Sequence, residues 1–449
     1  MLLKGLGRRR FGTKTFRPVR GMKDMFDEDI QGLRRIEDIA RSISRRFGFA
    51  EVSTPVLERT RVFTRTLGES SDVVNKEMYA FKDKSDENIC LRPENTAGVM
   101  RALLHSRTSL LRSRPEKLFY AGPMFRRERP QRGRLRQFHQ IGLEYCGTKH
   151  ARADVEVIEA ATEFLRHLEL WPESLELQIN SLGDRESRTR YEEEITKYFE
   201  SHRSSLSRDS VERLNRDAPL RILDSKSEQD AEIISKAPGI ESFLSQSASS
   251  HFQYVLNALN DAEISFTVNP RLVRGLDYYS HTAFEFVVKS DVDDANQGQA
   301  VLAGGRYDGL AKLLGSNQDI ESVGWACGVE RIQILRDALN IKTASRDPVV
   351  LVAGISSSSS CCDNIERHVD NICRDLRRVS PSPLLCVHRT LEISKLSKVF
   401  KNADRYQADF IITVGKEEME QNRVSIRNVK TRDVLSNVTL ESAIQSMTA

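Results

Sequence analysis

The chain has 449 residues, 39% hydrophobic and 29% charged, with a formal net charge of +4. That length exceeds one ordinary core and implies two or three domains, and no apolar run reaches the length of a membrane span. Seven cysteines are scattered without a CxxC pair or a Cys/His spacing for zinc, which indicates reduced thiols rather than a disulfide framework or a zinc module. The charge balance is too slight to imply nucleic acid by itself, so the placement of arginine matters more than the total.

In chain order, residues 1–20 carry Lys4, Arg8, Arg9, Arg10, Lys14, Arg17 and Arg20, with no acid before Asp24. This is the composition of an organellar targeting segment, which a basic arm on RNA or a plain tail would share. Residues 27–47 place Ile36, Ala40, Ile43 and Phe47 at helical spacing, and Gly48 follows as a stop signal. FAEVSTPVLERTRVF (49–63) reads as a strand broken by Pro55, hence an edge or an interface. In CLRPENTAGVM (90–100) a strand end supplies Arg92 and Glu94, and Thr96 opens a helix. Glu94 either favours that helix's first turn or receives a substrate ammonium.

KLFYAGPMFRRERPQRGRLRQFHQIGLEYCG (117–147) sets two apolar-rich runs around a basic middle. The middle holds arginines 126, 127, 129, 132, 134 and 136 and the single acid Glu128, with Pro130 and Gly133 marking the turn. Alternation puts Arg136, Phe138, Gln140, Gly142 and Glu144 on one face of the second strand. Gln140 and Glu144 then stand roughly 13 Å apart at about 3.3 Å per residue, with a bare glycine between them. The result is a floor for a small extended ligand, cationic at one end and carboxylic at the other, or else a hairpin with a solvated charged tip.

Residues 152–170 read as a helix, and 184–250 shift to charged, serine-containing helical segments outside the main sheet, where no chemistry is legible. FTVNPRLVRGLDYYSHTAFEFVV (266–288) ends in an alternating strand (Thr282, Phe284, Phe286, Val288), approached by Arg274, Gly275, Asp277, Tyr278 and Tyr279. The adjacent tyrosines could be packing alone. AGGRYDGL (303–310) fits neither G-x-G-x-x-G nor the P-loop. SVGWACGVERIQILRDAL (322–339) is a glycine-spaced strand running into a helix, with Glu330 and Arg331 in a first turn that favours anions. Beyond a linker at 340–347, strand and helix signals alternate, which indicates a small, mainly parallel sheet covered by helices.

These stretches resemble, in order, the elements of class II aminoacyl-tRNA synthetases, and of the histidyl family in particular. Residues 49–63 are similar to motif 1, RPENT (92–96) to the RPEGT element, and FRRERPQRGRLRQFHQIGLE (125–144) to motif 2. RGLDYY (274–279) and AGGRYDGL resemble the two histidyl signatures, and 322–339 resembles motif 3. Asn95 stands where the family carries glycine, and Leu135 where many relatives carry an aromatic residue. A non-catalytic paralogue, such as the regulatory subunit of ATP phosphoribosyltransferase, would lack the last hundred residues and lose signature positions that this chain keeps.

The resemblance implies an α+β catalytic core with an antiparallel sheet (16–183 and 251–338). A helical insertion (184–250) and a C-terminal α/β anticodon-binding domain (348–449) complete the expected plan, after a targeting extension (1–15). It implies ATP-dependent ligation of L-histidine to tRNA(His) through histidyl-adenylate, by a homodimer that has no membrane partner. Arg126, Arg274 and Gln140 are the implied catalytic residues. Glu94, Thr96, Gln140, Glu144, Tyr278, Tyr279 and Tyr307 would bind histidine, and Arg126, Arg136, Arg274 and Arg331 would bind ATP. Gln131, Arg132, Gly133 and Arg134 would touch the tRNA acceptor stem. Arginine suits phosphate because its planar fork grips two oxygens. Mg²⁺ would bridge ATP phosphates, held by phosphate and water, so no protein ligand is assigned to it. The expected location is an organellar matrix, mitochondrial in the first instance, with plastid or cytoplasm as alternatives.

Overall fold

The computed structural model describes residues 16–448 apart from 69–70, 72, 108–110, 112–113, 130–132, 217, 226, 274–277, 291, 293–298, 342–346, 357–361 and 379–384. The chain divides into two units, Met1–Lys342 and Thr343–Ala449.

In the first unit, α1 (Asp27–Arg46) buries Leu33, Ile36, Ala40 and Ile43, and beyond it Gly48 takes the positive φ that its position requires. Next come β1 (Ala50–Glu51), β2 (Leu57–Arg59), α2 (Thr60–Leu67), β3 (Tyr79–Lys82), β4 (Asn88–Leu91) and α3 (Thr96–Ser106). The hairpin read from Pro130 and Gly133 is β5 (Glu116–Phe125) and β6 (Gln137–Cys146), in antiparallel register with Tyr120 opposite Gly142. After α4 (Arg152–His167) and β7 (Leu175–Ser181) come the insert helices α5 (Arg185–Ser201), α6 (Arg208–Asn215) and α7 (Glu228–Ser235), then α8 (Gln246–Asp261). The unit closes with β8 (Thr267–Val268), β9 (Ser280–Val288), β10 (Ala300–Arg306), α9 (Leu310–Leu313), β11 (Ser322–Gly328) and α10 (Val329–Ala338).

Eight of these strands form one sheet in the order β1-β5-β6-β11-β10-β9-β7-β8, antiparallel except for the two outermost pairs. Alternation gives its two faces different work. Phe119, Ile141, Leu143, Phe284 and Phe286 face a core with Ile36 of α1, Ile158 of α4, Val255 of α8 and Ile332 of α10. Each such side chain, fully buried, contributes about 1.5–3 kcal/mol. Leu118, Tyr120 and Met124 face the other way, into a cluster with Phe63, Met100, Tyr278, Tyr279 and Tyr307. That second face carries the candidate site.

The insert has its own small core, including Tyr191, Ile195, Phe199, Leu214 and Ile233. The boundary read at residue 251 falls within α8, which starts beyond Ser245, whose hydroxyl caps the helix. Phe252, Val255 and Leu259 of α8 already belong to the main core.

The second unit contains β12 (Val349–Gly354), α11 (Cys362–Arg378), β13 (Cys386–Arg389), α12 (Leu396–Arg405), β14 (Phe410–Val414), α13 (Lys416–Glu420), β15 (Val424–Asn428), β16 (Val434–Val438) and α14 (Leu440–Thr448). Its sheet order is β13-β12-β14-β15-β16. The first two pairs are parallel as expected, but the last two are antiparallel. The reason is connection length: a parallel crossover needs about a dozen residues, and the chain between Val414 and Val424 is too short.

Candidate active site

The site face of the sheet is kept low by glycines. A Cβ on Gly142 would overlap the Tyr120 hydroxyl, and one on Gly324 would overlap a carboxylate oxygen of Glu144. Above this floor lies a pocket of about 300 Å³.

Glu94, Thr96, Gln140, Tyr278 and Tyr279, read as part of an amino-acid site, border it. Glu94 lines the pocket, and its two oxygens accept the backbone N–H groups of Thr96 at 2.6 Å and Ala97 at 3.1 Å. The reading of Glu94 as an acceptor at the helix's first turn is thus met, and its place on the pocket wall leaves it open to a ligand. A carboxylate has about four acceptor positions, so two remain for a ligand cation. Burial raises its pKa, while the two backbone bonds and Arg126 pull it down. Asn95 is buried and accepts the Thr54 hydroxyl at 2.5 Å, which ties this loop to the residue before Pro55. Gln140 reaches the pocket with its Oε1 buried and unpartnered, a cost that a ligand donor would relieve.

Tyr278 and Tyr279 also line the pocket, with rings 4.8 Å apart. Tyr307 closes this aromatic cluster edge-on to both, at 5.8 and 6.4 Å. Glu144 differs from the expectation of direct contact with the open space. It is 1% exposed, behind Thr96, whose hydroxyl donates to it at 2.6 Å, while the Tyr307 hydroxyl takes its other oxygen. Neither Glu144 nor Tyr307 borders the pocket.

Arginines border the same pocket. Arg126 lines it, anchored by Nε to the Pro93 carbonyl at 2.8 Å and lying 5.4 Å from the Phe138 ring centre. Arg331, on the first turn of α10, donates to the Ala300 carbonyl at 3.0 Å, and burial lowers its pKa. Arg134 and Gly133 border the same space, with Arg134 3.4 Å from Glu128. Arg136 corrects the ATP set: it does not border the pocket, because its Nε turns to the Glu128 carbonyl at 3.3 Å across the hairpin. Arg274, Gln131 and Arg132 lie outside the described residues.

Three acids were missed as pocket residues: Glu128 of the basic loop, Glu285 and Glu330. Glu285 stands on β9 between buried Phe284 and Phe286. A lone charge within an apolar strand was the available signal. Glu330 lines the pocket while accepting the backbone N–H of His139 at 2.9 Å and its ring Nδ1 at 3.0 Å. No local pattern joins residues so far apart in the chain.

Residues 21–332 match the family model described as Histidyl-tRNA synthetase. This chain belongs to the histidyl-tRNA synthetase family. Residues 351–449 match the Anticodon binding domain model. The Histidine--tRNA ligase of Rhodospirillum rubrum is 44% identical over 92% of this chain and 94% of its own length. That of Rickettsia bellii is 39% identical over 94% and 96%. The apo crystal structure of S. aureus histidyl-tRNA synthetase, 30% identical, superposes with a TM-score of 0.77 over 97% of this chain and all of its own. A Bacillus halodurans structure described as ATP phosphoribosyltransferase regulatory subunit/histidyl-tRNA synthetase is 19% identical, with a TM-score of 0.62 over 90% of this chain and 98% of its own, and shows the shared fold alone. The histidyl-tRNA synthetase family aminoacylates tRNA with histidine, and its class uses ATP as a substrate.

Proposed function

We propose that this chain activates L-histidine with ATP and transfers it to tRNA(His), and that the described pocket is where activation occurs. The observation that carries this reading is one cavity bordered both by Glu94, Thr96, Gln140 and the tyrosine pair and by the cations Arg126 and Arg331. In this reading the ammonium of histidine takes the remaining lone pairs of Glu94 and the Thr96 oxygen, and the Gln140 amide takes the carboxylate region. The imidazole lies against Tyr278 and Tyr279, and its N–H reaches Glu144 when Thr96 or Tyr307 yields a hydrogen bond. Analogues without those groups are rejected because the site's own polar atoms would be left unpaired.

A carboxylate oxygen of histidine attacks the α-phosphorus of ATP, the bond to the bridging oxygen breaks, and pyrophosphate leaves. Arg126 and Arg274 neutralise charge around the α-phosphate, and Arg331 does so towards the γ-phosphate. The attacking group is already an anion, so no general base is required and positioning dominates the rate. In the second step a hydroxyl of the terminal tRNA ribose attacks the activated carbonyl and AMP leaves. Arg134 and its loop would contact acceptor-stem phosphates.

Mg²⁺ would supply further positive charge to the ATP phosphates. Among the described residues no cluster of three metal-ligating side chains stands ready. In this reading the cation is held by phosphate and water, with no protein ligand assigned to it.

The decisive experiment is pyrophosphate exchange with histidine against the other amino acids. Exchange with another amino acid, or none, would sink the proposal. We also propose a homodimer formed through the motif 1 segment, supported by a groove of about 800 Å³ lined by half-exposed Leu57, Ile89, Leu104 and Arg59. A monomer in sedimentation at micromolar concentration would refute it. Mitochondrial location rests on the basic, acid-free residues 1–20, and a reporter fused to them tests it. Among the described residues no helix is long and apolar enough to cross a membrane.

A further inference from the structure

As sequence, residues 184–250 carry no chemistry; in the fold their root adjoins the tyrosine pair. The backbone N–H of Leu182 donates to the His281 carbonyl at 2.6 Å, and that of His281 donates to Gly183 at 2.8 Å. The strand end that leads into the insert is thus paired with the chain two residues beyond Tyr279. His281 has a φ of 46°, a left-handed conformation that its surroundings must hold. At the first turn of α5, Arg188 Nη1 donates to the Tyr279 carbonyl at 3.2 Å, and its Nε donates to Glu192 at 2.8 Å. The start of α5 is itself fixed, because the Asp184 carboxylate accepts the Ser187 N–H at 2.9 Å and the Ser245 hydroxyl.

Tyr279 borders two spaces. One is the candidate pocket, and the other is a cavity of about 40 Å³ whose walls include Arg188, Tyr191 and Ile240 of the insert. A void of that size exceeds what one water needs, so Tyr279, packed on Tyr278 and Tyr307 elsewhere, is not closely packed on the side that faces this cavity.

We infer that Arg188 is a positioning residue for the amino-acid pocket. Its bond to the Tyr279 carbonyl holds the tyrosine pair over the sheet, and the orientation of the insert thereby sets the affinity for histidine. The inference rests on the proposed function of the pocket. Arg188 does not itself border the pocket.

The test compares wild type, Arg188→Met and Arg188→Lys in pyrophosphate exchange, titrating histidine and ATP separately and following thermal melting. R188M should raise the KM for histidine about tenfold while the KM for ATP stays within about twofold. R188K keeps a cation without the planar fork, so it should fall between, with wild-type melting. An unchanged KM for histidine overturns the inference. So does a parallel rise in both KM values, or a loss of kcat that follows melting, since either marks a merely structural role. A wild-type protein without histidine-dependent exchange would instead remove the reading of the pocket, and the control alone reveals that case.

Discussion

Tyr307 donates its hydroxyl hydrogen to the carboxylate of Glu144, joining the segment after β10 to the end of β6 in a fully buried contact. Burial pushes the Glu144 pKa up to about 8 from 4.5, with a further rise from nearby Glu94, against the lowering effect of the Thr96 and Tyr307 hydrogen bonds. The folded chain therefore keeps a proton that the unfolded chain releases once pH exceeds the ordinary carboxylate range. Between about pH 4.5 and 8 this group's contribution to stability declines as pH rises. Glu144→Gln should flatten that decline, so the variant gains melting temperature relative to wild type as pH goes from 5.5 to 8. Parallel melting curves for the two proteins would contradict the assignment.

Gly324 has no room for a side chain. A methyl group there would overlap both the Glu144 carboxylate and the Leu143 carbonyl, and a backbone atom cannot rotate away. Gly324→Ala should cost about 1–3 kcal/mol of stability through overpacking and raise the KM for histidine more than that for ATP. Urea denaturation and exchange kinetics measure the two effects, and wild-type values in both would refute the floor described here.

Arg126 is held by Pro93 and Phe138 before any ligand arrives. Preorganised charge of this kind is worth about 10²–10³ in rate. Arg126→Ala should lower exchange by that order with the fold intact by circular dichroism. Arg126→Lys should recover little, because it lacks the bidentate fork. Near-normal exchange in either variant would remove Arg126 from the chemistry.

Arg134 is half exposed and paired only loosely with Glu128. As a phosphate contact it should weaken tRNA binding uniformly when changed to alanine, and reduce the slope of log affinity against log salt by about one. Filter binding from low to moderate salt would show this, and an unchanged slope would assign Arg134 elsewhere.

Local pattern alone determined a good deal. The helical spacing of Ile36, Ala40 and Ile43, the turn at Gly133 and the alternation of Gln140, Gly142 and Glu144 each depend on neighbours within a few residues, and the motif order carried the family. Tertiary structure decided which of those polar groups meet. Thr96 and Tyr307 come from distant segments to enclose Glu144, Arg136 turns to a backbone carbonyl instead of the pocket, and Arg188 reaches Tyr279 from the insert. Side-chain partners across a sheet are set by register and packing between segments far apart in the chain, and no periodicity in one segment encodes its neighbour's.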